Sequence, residues 1–375
     1  MAGGSVTDSI LRPMKRTSFF AGVTMHQSFL TSVVGSMPRS QFVRDLLAPD
    51  RRGELTEAAF QRQMDAAVAY IIALQEAAGI DIISDGEWRR LSYIGVISEI
   101  MNGFERTTVD GKYWHTIVEP MTPNAPGIVA KEAAFLKAHT TRRTKVALPS
   151  PYLLGQRMWT SEHSRKAYPT RESFMEALVP VLRNELIGLR DAGVDVIQFD
   201  DPHLCLFVDH RVRSEFDNPD READYCVDLL NSIIDGIDGV TLAIHLCRRN
   251  KGRAGWVGEG GYGPILPALK RLKVNQYVME FTIPAAGDLA ILKELPETAS
   301  VGLGCVDCRG EHIDTPEEIV ARVEKALSYL SPERIFLNPD CGFAPGNAAD
   351  IPIDEAYAKL TNEARAAAIL REKYC

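Results

Sequence analysis

The sequence predicts an α/β protein, a single (β/α)8 TIM barrel with an insertion after its second strand. Three observations carry this expectation. Eight short apolar runs alternate with helical patterns along the 375 residues, and most of the runs are continuously apolar, as strands covered on both faces require. Two segments echo each other: AAGIDIISDGE at residues 77–87 and DAGVDVIQFDD at 191–201 both pass from helix end to glycine, buried strand and terminal acid, the recurrence expected of a repeated βα unit. Polar residues (Ser36, Glu87, Asp200, His245, Glu280 and Cys341) fall at or just past the ends of these runs, which in a barrel is the face where catalytic groups collect. An open two-domain dinucleotide-binding sheet fits an eight-fold alternation less well.

In chain order, residues 1–28 read as a loose N-terminal extension and residues 29–375 as the barrel. LTSVVGSMPRS (30–40) is a β-branched run broken by Gly-Ser and Pro, a first strand leaving into a loop. Thr56 caps a long helical pattern that stops at Gly79, where a helix C-terminus favours left-handed backbone. IDIISDGE follows as the second strand. Residues 88–144 have poor periodicity, with a hairpin-like VDGKYWHTIV at 109–118 and a helical KEAAFLKAH at 131–139, and form the expected insertion. KVALPSP and GVDVIQFDDP give strands three and four, separated by a helix over 171–192. TLAIHLC, NQYVME, SVGLGC and RIFLNPDC give strands five to eight, with helical patterns near 261–272, 288–295 and 316–330 and a final helix over 353–372.

Composition narrows the function. With 50 acidic against 42 basic residues the formal charge is −8, which disfavours nucleic acid and anionic membranes as partners, because both require a basic field. No apolar run approaches the roughly 20 residues of a membrane span. Seven cysteines, an odd number scattered through the chain, argue against a disulfide framework and fit a reducing, cytoplasmic setting. A small-molecule partner is expected.

The chemistry is concentrated around TLAIHLC (241–247). A strand sends residues i and i+2 to the same side, so His245 and Cys247 project together at its end. An imidazole and a thiolate there make half of a tetrahedral zinc site. Glu280 and Cys341, each ending another apolar run, are the further candidates. A mixed thiolate, imidazole and carboxylate set suits zinc better than magnesium or calcium, which prefer oxygen alone. Cys305 and Cys308 form a competing C-x-x-C, but no second such pair exists, so a ribbon-type zinc site is unsupported and Cys305 reads as strand packing.

Glu87 and Asp200 read as a general acid and base, as holders of a ligand ammonium, or as ordinary helix caps and loop acids. Arg248, Arg249, Lys251 and Arg253 in RRNKGR read either as a solvated loop or as a site for an anionic substrate tail. Gly258, Gly260 and Gly263 match G-x-G-x-x-G, but the dinucleotide fingerprint needs the turn immediately after a strand, and these lie well beyond it. A mobile active-site loop is expected instead.

Taken together, GSMP (35–38), DGE (85–87), QFDDP (198–202), HLC (245–247), Glu280 and NPDCG (338–342) resemble, in order and spacing, the C-terminal catalytic barrel of cobalamin-independent methionine synthase and its stand-alone relatives. The resemblance covers nearly the whole chain after residue 28. It implies an enzyme, a zinc-dependent thiol S-methyltransferase, with Zn2+ on His245, Cys247, Glu280 and Cys341. It further implies that Ser36, Glu87 and Asp200 bind the amino-acid thiol, homocysteine, whose zinc-held thiolate displaces methyl from a donor. Three departures bear on that donor. The full-length synthases carry a second barrel, for which 375 residues leave no room. Their D-x-H motif supplies a proton-donating histidine, whereas here the run is Asp307, Cys308, Arg309. Arg309 is permanently charged and is expected to stabilise charge on the donor without moving a proton. Asp201 stands where the synthases usually have glutamate. The expected donor is therefore not free folate but a corrinoid protein, another methyl source, or an epoxide, as in the epoxyalkane:coenzyme M transferases that share this zinc barrel. A noncatalytic zinc-binding scaffold is the reading from a different class, and it leaves Glu87 and Asp200 idle.

Overall fold

A computed structural model describes residues 28–48, 51, 53–109, 112–344 and 351–375. The expected N-terminal extension lies, apart from Ser28, outside them. The strands are β1 Ile82–Ile83, β2 Met101–Val109, β3 Lys112–Pro123, β4 Arg143–Pro149, β5 Val196–Asp200, β6 Thr241–Leu246, β7 Gln276–Glu280, β8 Ser300–Val306 and β9 Ile335–Pro339. Seven of them form one parallel sheet in the order β1-β4-β5-β6-β7-β8-β9, while β2 and β3 pair antiparallel in a separate hairpin.

The sheet curls until one segment bonds to both of its edges. Ser32 N–H donates to Leu337 O and Leu337 N–H to Leu30 O, each at 2.9 Å, while Ile82 N–H donates to Thr31 O at 2.9 Å. Thr31 and Ser32 thus bridge β9 and β1 in parallel. The edge backbone groups that would otherwise be left open are paired there. The first strand expected over 30–40 is reduced to these bridges, and the second to two residues, after which Gly86 takes a left-handed backbone at φ 68°.

Period-2 alternation explains what the sheet encloses. Val196, Ala243 and Val278 belong to a small inner cluster with Val34 and Ile82, whereas Ile197, Ile244, Tyr277 and Met279 join the large cluster under the helices. Two residues further along each strand the inner-face series turns polar: Val196, Gln198, Asp200; Ala243, His245; Val278, Glu280. The register places Asp200 beside His245 and His245 beside Val278. On β8 the inward positions opposite Val278 and Glu280 are Gly302 and Gly304. A Cβ on Gly302 would lie 2.5 Å from Asn338 Oδ1, and one on Gly304 would collide with Asp340 Oδ1. Those glycines make room for the polar side chains of β9 and the turn after it.

The helices cover the outside. Glu57–Ala78 begins where Thr56 accepts Ala59 N–H and ends at Gly79 with φ 91°, as its sequence predicts. Arg171–Asp191 and Ile353–Tyr374 also match their expected spans. Pro219–Ile234 is a helix beyond those expected: Asn218 caps it, Pro219 starts it and Asp220 and Glu222 fill its first turn. Residues near 288–295 form a 3-10 helix, Leu289–Glu294, rather than an α-helix. The hairpin in 88–144 is longer than the 109–118 expected. No helix among the described residues is long and apolar enough to cross a membrane, and all seven cysteines are free.

One buried side chain ties a helix to a strand end that itself has little backbone pairing. Gln75 accepts Ser84 N–H at 3.0 Å and donates to Ser84 O at 2.8 Å. Gln75→Leu keeps the volume but leaves both groups buried without partners, and is expected to lower stability by about 2 kcal/mol. Urea denaturation should record this as a lower midpoint at unchanged slope.

Candidate metal centre

The polar inner-face residues converge. His245, at the end of β6, and Cys247, just beyond it, share a face, and Glu280 ends β7. Cys341 follows β9 by two residues. The four ligand atoms, one from each of these residues, all lie within 4.8 Å of one another. Cys247 and Cys341 Sγ are 3.4 Å apart, and His245 Nε2 is 3.5 Å from Cys341 Sγ. His245 Nδ1 is 3.3 Å from Val278 O, so a proton on Nδ1 donates there while Nε2 faces the thiols.

Burial makes this group electrostatically demanding. It pushes Glu280 up to about 8, against the opposing charge of Arg309. Burial would also lower His245, but the hydrogen bond and charge of Cys247 hold it up at about 9. A hydrogen bond from Cys341 holds Cys247 well below the ordinary thiol value despite burial, and His245 adds to the effect. That same bond, with burial, drives Cys341 up. Two thiols, an imidazole and a carboxylate at this spacing can hold a soft or borderline divalent metal.

Hydrogen bonds from two arginines fix the carboxylate. Glu280 Oε1 accepts Arg248 N–H at 2.8 Å, and Oε2 is bonded to Arg309 Nη2. Arg309 Nη1 reaches Asp340 Oδ2 at 3.2 Å, and Asp340 also accepts Phe281 N–H at 2.9 Å and Thr282 N–H at 3.1 Å. Arg309 is buried behind Glu280 and does not line the adjoining cavity. Asp340 was not singled out in the sequence, although it stands inside NPDCG.

That cavity, about 550 Å³, opens onto His245, Cys247 and Cys341 and is lined also by Ser36, Glu87 and Asp200. Burial lifts Glu87 to about 7, partly offset by Arg90, and lifts Asp200 to about 6, partly offset by His245. Gln198 Nε2 donates to Asp200 at 2.8 Å. Glu87 has φ 58°, a left-handed backbone that costs a non-glycine residue on the order of 1 kcal/mol. Arg39 holds it there, donating to Glu87 O at 2.7 Å and Arg90 O at 2.9 Å. A Cβ on Gly35 would collide with Glu87 Oε1, and one on Gly342 with Ser36 Oγ, so both glycines keep polar groups in place. Asp201 is engaged elsewhere: it caps the helix Pro202–Leu206 and accepts Ser150 Oγ–H at 2.6 Å.

The chain matches the family described as the cobalamin-independent synthase catalytic domain over residues 29–368. It belongs to that family. It is 26% identical over 350 residues to a methionine synthase of Sulfolobus acidocaldarius, covering 92% of each chain. It is 28% identical to one of Pyrococcus abyssi, covering 92% of this chain and 93% of that protein. In fold it resembles a B12-independent methionine synthase from Shewanella sp. W3-18-1 solved with selenomethionine, with a TM-score of 0.77 at 24% identity over 92% of this chain and 98% of that one. A putative vitamin-B12 independent methionine synthase from Listeria monocytogenes gives 0.70 at 22% identity, with the same coverage of both chains.

Other sequence candidates take different places. Cys305 is buried in β8, facing Asn338 O, and Cys308 is buried near Asn250. The basic run divides. Arg248 is fully buried over the Tyr262 ring and donates to Gly260 O at 2.7 Å, so it is not part of a solvated loop, and it anchors the glycine-rich segment expected to be mobile. Arg253 pairs with Glu355. Arg249 and Lys251 line the cavity. Tyr93, Trp114 and Arg157, which also line it, carry no motif in the sequence and reach the cavity only through the tertiary fold. A second group, His312, Asp314 and Glu318, is largely exposed, and its acids already serve Arg322 and the Thr315 cap.

Because Glu87 is raised from 4.5 to about 7 by folding, the folded state holds its proton more tightly than the unfolded one. Its contribution to stability is full below about pH 4.5 and is lost as pH rises through 7. Metal-free wild type should therefore lose stability relative to Glu87→Gln between pH 5 and 8, by at most roughly 3 kcal/mol. Urea midpoints of both proteins across that range check the slope.

Proposed function

We propose that the protein is a zinc-dependent S-methyltransferase that alkylates homocysteine to methionine, with His245, Cys247, Glu280 and Cys341 as the metal ligands. The observation that carries this reading is the buried convergence of the four ligand atoms within 4.8 Å, opening onto a cavity that also presents Ser36, Glu87 and Asp200. The relatives named methionine synthase support the same chemistry. The donor set fits zinc: two sulfurs, one imidazole nitrogen with its other nitrogen on a backbone carbonyl, and one carboxylate fixed by Arg248 N–H and Arg309. The reading also takes residues 29–33 as the first strand of a closed (β/α)8 barrel, one domain with 88–144 as an insertion, working in the cytoplasm.

When bound, zinc would supply the positive charge that keeps an incoming sulfur deprotonated near neutral pH. The chain's own residues do the rest. Glu87 and Asp200, once ionised, hold the ammonium of the amino acid, and Ser36 offers a hydroxyl beside them. Holding the thiol this way turns its attack into a positioned displacement. The sulfur–carbon bond forms as the bond from carbon to the donor's leaving atom breaks, and the electron pair departs with the donor. Arg309 does not line the cavity, so we assign it as a positioning residue that fixes Glu280 and Asp340. Arg309, which stands where the resemblance places a histidine, cannot protonate a departing folate nitrogen, and the proposed donor is a small molecule other than free folate. A corrinoid protein has no support from the cavity or the relatives. A scaffold role would leave the acids of the cavity without purpose.

Purified protein should contain one zinc per chain, and Cys341→Ser should weaken its retention by tenfold or more in a chelator competition. Glu87→Gln and Asp200→Asn should each weaken homocysteine binding by about 10-fold or more, the worth of a charge-assisted hydrogen bond, with zinc content unchanged. Calorimetric titration with homocysteine and coenzyme M in parallel decides the thiol. Tighter binding of coenzyme M, unaffected by these substitutions, would replace the amino-acid thiol with an anionic one.

A further inference from the structure

We propose that the same cavity carries a second subsite, a cationic wall in which Arg157, Arg249 and Lys251 stand with Trp114 and Tyr93, and that it takes an oxyanion of the alkyl donor. The inference rests on the thiol-alkylation reading and goes beyond it by giving the donor a charge and a place. All five residues line the cavity, yet they come from four parts of the chain: Trp114 from β3, Arg157 from the helix Pro151–Met158, Arg249 and Lys251 from the loop after β6, and Tyr93 from the segment after β1.

The charges of this wall are unanswered. Arg253 is paired with Glu355 and Arg248 is spent on backbone carbonyls, but among the described residues no ion pair ties Arg157, Arg249 or Lys251 to a carboxylate. Arg157 and Arg249 are half-buried, and each opposes the other: beyond burial, Arg249 is the charge that lowers Arg157, and both lower the neighbouring His203, which burial alone already depresses. His203 Nε2 is itself buried with no hydrogen-bond partner. In a chain with 50 acids to 42 bases, cations gathered in a cavity wall without partners mark the position of an anion from outside.

Trp114 makes the wall selective as well as charged. The Arg157 guanidinium lies over its ring at 4.5 Å, a contact that restrains the guanidinium while its N–H groups remain available to a two-oxygen acceptor. A carboxylate, phosphate or sulfonate presents that pair of oxygens. The donor is the better occupant because the amino-acid thiol already has its charged anchor at Glu87 and Asp200, and the cavity's 550 Å³ has room for more than one small molecule.

The test titrates zinc-loaded protein with phosphate and, separately, glutarate by calorimetry, with and without saturating homocysteine. At least one anion should bind with a dissociation constant on the order of 1 mM, and homocysteine should not displace it. Arg157→Gln combined with Arg249→Gln should weaken the anion about tenfold or more, and Arg157→Lys, which keeps the charge but loses the stacked two-donor edge, should weaken it by about threefold or more while remaining tighter than the double variant. Homocysteine affinity should be unchanged in all variants. A preference for glutarate marks a carboxylate on the donor, and a preference for phosphate marks a phosphate or sulfonate. The inference is overturned if neither anion binds saturably, if the double variant binds as well as wild type, or if homocysteine competes, since the wall would then serve the thiol's own carboxylate. Failure of wild type to bind homocysteine at all would instead remove the function on which the subsite rests.

Discussion

Burying two thiols, an imidazole and a carboxylate in one cluster is the constraint on which the rest of this structure depends. Each of these groups is costly away from water unless its charge or proton is shared. The fold meets that cost in layers. Arg309 answers Glu280 and Asp340 together, Asp340 is answered again by the amides of Phe281 and Thr282, and Glu280 by the amide of Arg248. Gly304 exists so that Asp340 can sit there. Within the cluster the one cationic partner of the sulfurs is His245, which holds Cys247 down, and a divalent metal is the group that would answer both sulfurs at once.

The sheet makes the arrangement possible by a simple switch along its inner face. Along each strand the inward positions pass from a packing residue (Val196, Ala243, Val278) to a polar one two residues later (Gln198, His245, Glu280). Packing at the bottom holds the strands in register, and register brings ligands from separate strands to one point. The cavity above is charged in turn. Its lining carries both the acids Glu87 and Asp200 and the bases Arg157, Arg249 and Lys251. A zwitterionic thiol and an anionic donor would be drawn to different members of this lining, beside the sulfur cluster.

Much of this was legible in the sequence because it is carried by local periodicity. The i, i+2 spacing of His245 and Cys247, the apolar runs that end in Asp200 and Glu280, and the Thr56-to-Gly79 helix each state their geometry within a few residues. The parts that were not legible depend on contacts between distant segments. Residues 29–33 become part of the sheet only through bonds to Ile82 and Leu337. Arg248 looks like one more charge in a basic loop until Tyr262 and the carbonyl of Gly260 enclose it. Arg309 occupies a position where a group facing the substrate was expected, but its length carries the guanidinium behind Glu280. Trp114 and Arg157 lie 43 positions apart by their numbers, and nothing in either neighbourhood announces that they stack. The helix Pro219–Ile234 is a different case, since its cap, first proline and early acids were all present to be read.

The central claim is that His245, Cys247, Glu280 and Cys341 form a zinc site that accepts the sulfur of a thiol substrate. Zinc K-edge absorption on the purified protein, before and after homocysteine is added, tests it most directly. The expected result is two sulfur neighbours at about 2.3 Å and two lighter ones beforehand, with a third sulfur after homocysteine and two sulfurs again in Glu87→Gln at the same homocysteine concentration. A protein that holds no zinc, or whose sulfur count is the same with and without the thiol, would contradict it.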